Sequence, residues 1–183
     1  MFAEKYVASV NSSDLRDDER HFATEALAAS AHARYDDMQG DLGALLCRVR
    51  YADGAQHQEF ESGARNLVPL LKIWLPVVTQ KGKDRNWVRI KSDWDIKIAH
   101  ELYARVAEAS LAYWLDDRCA ACHGAQQTVE RRICPTCNGS GRAEVSTKTT
   151  AYERERILDM VTELDGILGA YMRRAAARLR RVV

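Results

Sequence analysis

The stretch CAACHGAQQTVERRICPTCNGSGR, residues 119–142, limits the fold of this chain more than any other. It holds two Cys-x-x-Cys pairs separated by eleven residues, and with them four of the chain's five cysteines. A Cys-x-x-Cys turn brings two sulfurs together, and two such turns supply the four tetrahedral thiolates that zinc prefers. A glycine stands two residues after the second cysteine of each pair, Gly124 and Gly139, and Gly141 follows. Glycine there lets the turn reverse where a Cβ would clash. The spacing predicts one structural Zn²⁺ held by Cys119, Cys122, Cys134 and Cys137. Four cysteines close the coordination sphere and leave no position for a catalytic water. His123 is a bystander to that set. The spacer HGAQQTVERRI has the length of a short β-hairpin, with Thr128, Val129 and Ile133 as its strand-like residues. A thioredoxin-like redox pair needs a βαβ setting, which this chain lacks. Cys47 lies far off on an apolar stripe and reads as a small buried hydrophobe.

The rest of the chain reads as helix. Ser12 and Ser13 can cap a helix running to about Tyr35, with acids in its first turn opposing the helix dipole. Residues 41–51 fit a short helix through Leu42, Leu45, Leu46 and Val49, and also a strand in which Cys47, Val49 and Tyr51 alternate with Arg48 and Arg50; the helix is the preferred reading. Leu67, Leu70, Leu71, Trp74, Leu75 and Val78 mark a core-facing stripe, which Pro76 should kink or end. The following stretch, TQKGKDRNWVRIK, reads as a basic loop. Ser92 and Asp95 form a capping-box variant that opens a helix to about Leu115, with Ile96, Ala99, Tyr103, Val106, Ala107 and Trp114 on its stripe. Thr150 and Glu153 open another. Ile157, Met160, Val161, Leu164, Leu168, Tyr171, Met172, Ala175 and Leu179 then keep helical phase for more than six turns.

These elements predict a mainly α single domain over 1–183. It is a helical bundle with an inserted zinc-bound β-hairpin of the knuckle-pair or ribbon kind. Residues 1–115 form the helical part, 116–148 the zinc-binding insertion, and 149–183 a long helix packing back on the helical part. At 183 residues one core suffices. The N-terminus shows no secretory signal pattern, and LVPLLKIWLPVV is too short and too interrupted to span a bilayer. A cytoplasmic protein with no membrane partner is expected, a setting where paired cysteines serve metals rather than disulfides. No phosphate loop, His-Glu-x-x-His or nucleophile elbow occurs, so neither an enzyme nor a small-molecule substrate is expected.

The formal charge of +1 hides segments of opposite sign. Asp14 to Glu25 is acidic. Lys81 to Lys91 carries five basic residues and one acid, and Tyr171 to Val183 carries five arginines and no acid. Around the cysteines stand Arg118, Arg131, Arg132, Arg142 and Lys148. They can offset the −2 of a four-thiolate zinc centre, or a rigid hairpin can present them to phosphates. Lys81, Lys83 and Arg85, with Trp87 among the basic residues of the loop, can track a nucleic-acid backbone or form a solvated linker. Arg173, Arg174, Arg178, Arg180 and Arg181 exceed what dipole capping needs and offer a surface for an acidic partner.

The Cys-x-x-Cys-x-Gly-x-Gly pattern resembles the repeats of the DnaJ-type chaperone zinc domain. That family uses four repeats where this chain has two, and the chain has no His-Pro-Asp of a J-domain. A second resemblance is fuller. Arg118-Cys119, Cys122-His123-Gly124, Cys137 with Gly139 and Gly141, and Ala151-Tyr152 after a Ser/Thr-rich link resemble the antitermination protein Q of lambda-type phages. The preceding helix, with Ala107, Ala112, Tyr113 and Trp114, matches in character. The resemblance covers about residues 92–157, with a shorter hairpin here. It implies a transcription factor acting in a bacterial host cell. Such a factor binds double-stranded promoter-region DNA, engages a paused RNA polymerase holoenzyme including its sigma factor, and carries it past terminators. A zinc-ribbon interaction module or chaperone-like adaptor without DNA binding is the alternative.

Overall fold

The structure is a computed structural model and describes residues 2–10, 23–35, 40–51, 64–145 and 149–181. Among these residues it is mainly helical. The helices are α1 (Phe2–Val10), α2 (Ala23–Tyr35), α3 (Gly40–Tyr51), α4 (Ala64–Asp84), α5 (Asp93–Leu115) and α6 (Ala151–Arg181). Among the described residues no helix is long and apolar enough to cross a membrane. The chain divides into two compact units, one of Met1–Trp74 with Glu163–Val183, the other of Leu75–Thr162.

In the first unit α1, α2 and α3 pack on one another. Phe2 and Tyr6, one turn apart, are buried with stacked rings. Small residues on α2, Ala26, Ala29 and Ala33, are buried beside them in kind. The region 41–51 is helix, as preferred over strand: Leu42, Leu46 and Val49 take the buried positions at i, i+4 and i+7. Gly43 gives passage to Tyr171, whose Cβ would lie 2.7 Å from an added side-chain carbon. The Tyr171 hydroxyl donates to the Ser30 carbonyl at 3.0 Å. Cys47 is fully buried, and burial pushes its thiol up to about 12, which keeps it an inert core residue. The caps at Ser12 and Ser13 lie outside the described residues.

Helix α4 does not end at Pro76. It runs eight residues further, to Asp84, so the first six residues of the expected basic loop, 79–84, are helical. Proline in a helix interior costs about 3 kcal/mol; the burial of Leu70, Trp74 and Val78 on one face offsets that. The true stop is at Asn86. With φ +49 it takes the left-handed position, its N–H donates to the Lys83 carbonyl, and the Trp87 N–H donates to the Gly82 carbonyl, each at 3.0 Å. That is the Schellman pattern, with asparagine where glycine is usual.

In the second unit Val78, Ala99, Leu102, Tyr103, Val106, Leu111, Trp114, Ile157 and Met160 are buried. Trp87 belongs to this core too: it is 6% exposed and packs against Tyr103. The basic loop was read as tracking a nucleic-acid backbone or as a solvated linker; the buried Trp87 ring is available to neither. The Tyr152 hydroxyl donates to the Trp87 carbonyl at 2.7 Å, and the Arg156 guanidinium lies over both rings, 4.5 Å from Tyr152 and 5.9 Å from Trp87. Ile96, expected on the buried stripe of α5, is 40% exposed; the stripe runs through Ala99, Leu102, Tyr103, Val106 and Leu111 instead. The capping box at Ser92 is present, with Asp95 accepting from the Ser92 N–H at 2.9 Å. The one at Thr150 is present as well, with Glu153 accepting from the Thr150 N–H and its own N–H donating to Thr150 Oγ1.

Candidate metal centre

Helix α5 delivers the chain to the cysteine block through a three-residue strap. The strap is zipped to the chain leaving the block. Arg118 and Arg142 form an isolated antiparallel bridge, the Cys119 N–H donates to the Gly141 carbonyl at 2.9 Å, and the Ala143 N–H to the Asp117 carbonyl at 2.6 Å. The Tyr113 hydroxyl donates to the Ala143 carbonyl at 3.0 Å, which ties this neck to α5. Beyond it the chain makes two knuckles of the same construction. In the first, His123 (φ +50) and Gly124 (φ +87) follow Cys122; in the second, Asn138 (φ +49) and Gly139 (φ +81) follow Cys137. Two successive left-handed residues fold each turn back over its own sulfurs.

The knuckles meet at Gly141, which also has positive φ, +74. A Cβ on it would lie 2.9 Å from the Gly124 carbonyl oxygen, and its N–H donates to the Cys137 sulfur at 3.3 Å. This glycine closes the site from one side.

Between the knuckles there are no paired strands among the described residues. The spacer makes a tight turn with one isolated bridge, Gln127 to Ile133, and the Thr128 N–H donates to the Arg132 carbonyl at 2.8 Å. The first knuckle takes His123 and Gly124 from the eleven residues, the Cys134 N–H donates to the Gln126 carbonyl at 2.9 Å, and the turn at 128–132 follows at once. Arg131 at the turn has φ +59.

This scaffold gathers Cys119, Cys122, Cys134 and Cys137, all buried, with their sulfurs within 4.8 Å of one another. Cys119 and Cys134 sulfurs are 4.0 Å apart, Cys122 and Cys137 3.7 Å. A disulfide needs about 2.05 Å, and no pair forms one. A tetrahedron with metal–sulfur bonds of about 2.3 Å has edges of about 3.8 Å. The cluster thus has the size, number and chemistry of a four-thiolate metal site. Burial pushes the Cys137 thiol up, but hydrogen bonds from the Gly141 N–H and from neighbouring thiols outweigh it and bring the group down to about 6. Burial, with the Cys137 hydrogen bond, pushes Cys122 up to about 11. One sulfur of that pair is favoured as a thiolate by the backbone N–H groups and the neighbouring thiols; four thiolates together require a cation to offset their mutual repulsion. His123 is exposed and outside the cluster.

The basic residues fall into distinct situations. Arg118 pairs with Asp116 at 3.0 Å, Arg142 with Asp117 at 3.3 Å and Arg132 with Glu130 at 3.4 Å. Arg131 is exposed at the turn. Lys148 lies outside the described residues. Residues 116–145 hold four arginines and four acids, so the block with a four-thiolate Zn²⁺ carries about −2. The acids Asp116 and Asp117, one and two residues past the end of α5, were readable as charges in the sequence but not as partners. Lys81 and Lys83 lie on the last turn of α4, and Arg85 pairs with Asp159. Arg173, Arg174, Arg178, Arg180 and Arg181 all lie on the final turns of α6, with Arg173 and Arg180 exposed and Arg174 and Arg178 half-buried.

No family model matches the chain, and neither a curated protein nor a solved structure matches it.

Proposed function

We propose that this chain is a zinc-stabilised, DNA-binding transcription antitermination factor of the lambda Q kind. In this reading it binds promoter-region DNA, engages a paused RNA polymerase holoenzyme and promotes read-through of terminators. The observation that carries the reading is the closed four-sulfur cluster set between two long capped helices. Its coordination is complete without a substrate, so the metal holds a shape and performs no chemistry, and the segment containing it is the one that resembles the family. The ion is one Zn²⁺, since tetrahedral thiolate sites with no open position suit structural zinc.

The DNA surface in this proposal is the outer turn of the block with Arg131 and Arg132, supported by Arg118 and Arg142 at its neck. Arg132 must exchange Glu130 for phosphate, an exposed pair worth at most about 1 kcal/mol. Lys81, Lys83 and Arg85 are the second candidate surface. A purified transcription assay tests the activity: on a template carrying its cognate promoter element, the protein raises read-through of a downstream terminator, and removing the element abolishes the effect. Alongside, replacing Arg131 and Arg132 by alanine lowers the slope of log K for DNA against log salt by about two. An unchanged slope in a folded variant moves the contact to Lys81, Lys83 and Arg85. Unchanged read-through with host polymerase, together with salt-insensitive binding of unfolded peptides, replaces the reading by the adaptor. One observation favours that second reading: Val129 and Ile133 at the outer turn are 103% and 71% exposed, more apolar surface than phosphate contact requires.

A further inference from the structure

The four sulfurs of the block are not equivalent. Cys119 and Cys134, the first cysteine of each pair, are each 1% exposed; Cys122 and Cys137, the second of each, are 7% and 9% exposed. The cluster therefore has an inner and an outer edge. The outer edge takes one cysteine from each knuckle, and its two sulfurs are 3.7 Å apart. The inner pair is 4.0 Å apart. His123 and Asn138, which follow the outer cysteines, are exposed, so solvent reaches the cluster from this side first.

Thiolate sulfur is the nucleophile toward peroxides, and metal coordination keeps a cysteine in that form at neutral pH. A sulfenic acid formed on one cysteine condenses with a second thiolate within reach. At the outer edge the most accessible sulfur has that second thiolate beside it, on the other knuckle.

We infer that the metal centre is also a two-electron redox switch, in which a peroxide joins Cys122 and Cys137 by a disulfide across the knuckles and the ion is released. This rests on the zinc-loaded reading of the site proposed above. In the first step one outer thiolate attacks the peroxide O–O bond; its sulfur takes one oxygen as sulfenic acid, and the other oxygen leaves as hydroxide. The second outer thiolate then attacks that sulfur, the S–S bond forms and a second hydroxide leaves. The sulfurs lose two electrons and the peroxide gains them. Cys119 and Cys134 alone are too few to retain Zn²⁺. The competing bonds, Cys119 to Cys122 and Cys134 to Cys137, each need a sulfur of the inner edge and would leave the two knuckles unlinked. The bond across the outer edge takes over the ion's part as a cross-link, and thiol exchange reverses it. Cys47, 0% exposed in the helical core, stays out of the reaction and serves as an internal reference.

The test uses the full wild-type chain, whose metal content is measured first. Hydrogen peroxide is added, and zinc release is followed with a chromogenic chelator. Before half the zinc is released, free thiols are alkylated and the disulfides are mapped by proteolysis and mass spectrometry. The first linked peptide should join Cys122 to Cys137, with Cys47, Cys119 and Cys134 alkylated. Zinc should be lost in step with that bond, and a thiol reductant with added zinc should restore the metal. Cys47→Ala should leave the rate of release unchanged. A chain that carries no zinc before peroxide is added overturns the metal reading and this one with it. A zinc-loaded chain whose first disulfide lies within a knuckle, whose Cys47 is oxidised ahead of zinc release, whose loss of zinc a reductant does not reverse, or which keeps zinc and all its thiols in excess peroxide overturns the switch alone.

Discussion

Helix α5 and the cysteine block that follows it are three residues apart and are held by opposite means. The helix buries Ala99, Leu102, Tyr103, Val106, Ala107, Ser110, Leu111 and Trp114 along one side. Between residues 119 and 142 the block buries its four cysteines and no other side chain; its larger apolar residues, Val129 and Ile133, face solvent. A segment of this length cannot assemble an apolar core, and the sulfur cluster stands in its place. The helix therefore owes its fold to exclusion of water, which any set of apolar side chains of the right size can supply. The block's four sulfurs form a cluster that could hold a metal ion, and on the zinc reading proposed above its fold depends on that ion.

Taking the ion away is the strongest way to break the comparison. Structural zinc in finger peptides contributes about 10–16 kcal/mol of apparent affinity, and that affinity is also folding free energy. Chelation, or Cys134→Ala, should unfold residues 119–142 while α5 and α6 persist. Hydrogen exchange separates the two: amides of Cys119, Cys134 and Ala143 lose protection, and those of 99–111 keep it. Metal analysis should give one zinc per wild-type chain and a large loss in the variant. A Cys134→Ala protein that retains full zinc and unchanged exchange would show that the ligand set is wrong.

What the sequence made legible follows the same division. The four-cysteine cluster could be named because Cys-x-x-Cys spacing encodes sulfur geometry locally, within one turn. The helix starts at Ser92 and Thr150 could be named because a capping box is also local, a side chain and an N–H three residues apart. The long stripe of α6 was readable from period alone. The misses are non-local or fall at stops. Pro76 was expected to kink or end the helix although Val78, beyond it, was already read on the core-facing stripe, while Asn86, the actual stop, carried a signal in its residue type. Ile96 was placed inside by periodicity, which cannot tell which of two apolar faces finds a neighbour; Trp94, Ile96 and Ile98 give α5 apolar residues on more than one side. The turn between the knuckles was expected as a hairpin because Thr128, Val129 and Ile133 were read by strand propensity, while Thr128 to Arg132 are spent on the turn itself.

A smaller perturbation sharpens the comparison by leaving the ligands intact. Gly141→Ala places a methyl 2.9 Å from the Gly124 carbonyl oxygen on a backbone with φ +74. The backbone strain alone is about 1–3 kcal/mol, and relieving it moves the N–H that donates to Cys137. The variant should still bind one zinc, at lower affinity, in a competition with a chromogenic chelator. Gly166→Ala in α6 is the matched control: no atom lies within 4 Å of the added carbon, and alanine in place of glycine in a helix stabilises by about 1 kcal/mol. Equal zinc affinity for the Gly141→Ala and Gly166→Ala variants would mean that the knuckles do not depend on their close approach.

The smallest expected effect lies at the start of α6, and it is read most cleanly through pH. Hydrogen bonds from Arg105, at 2.7 and 3.0 Å, and from the Thr150 N–H hold the Glu153 carboxyl below the ordinary carboxylate range. A carboxylate with a lowered folded value contributes stability that is present above its unfolded value, about 4.3, and is lost as pH falls through the folded one. Thr150→Ala removes the cap at a cost of about 1 kcal/mol and should make helix loss on acidification begin at higher pH. The block responds to protons through different atoms. Its ligands are thiolates, whose ordinary value is near 8.5, so protons compete with zinc across the whole range below that and metal affinity declines well before Glu153 titrates. On acid titration zinc release should therefore precede the loss of α6 helicity, and Thr150→Ala should shift the second event while leaving the first in place. Release of zinc and loss of helix in a single step, moved together by Thr150→Ala, would show instead that block and helix unfold as one unit.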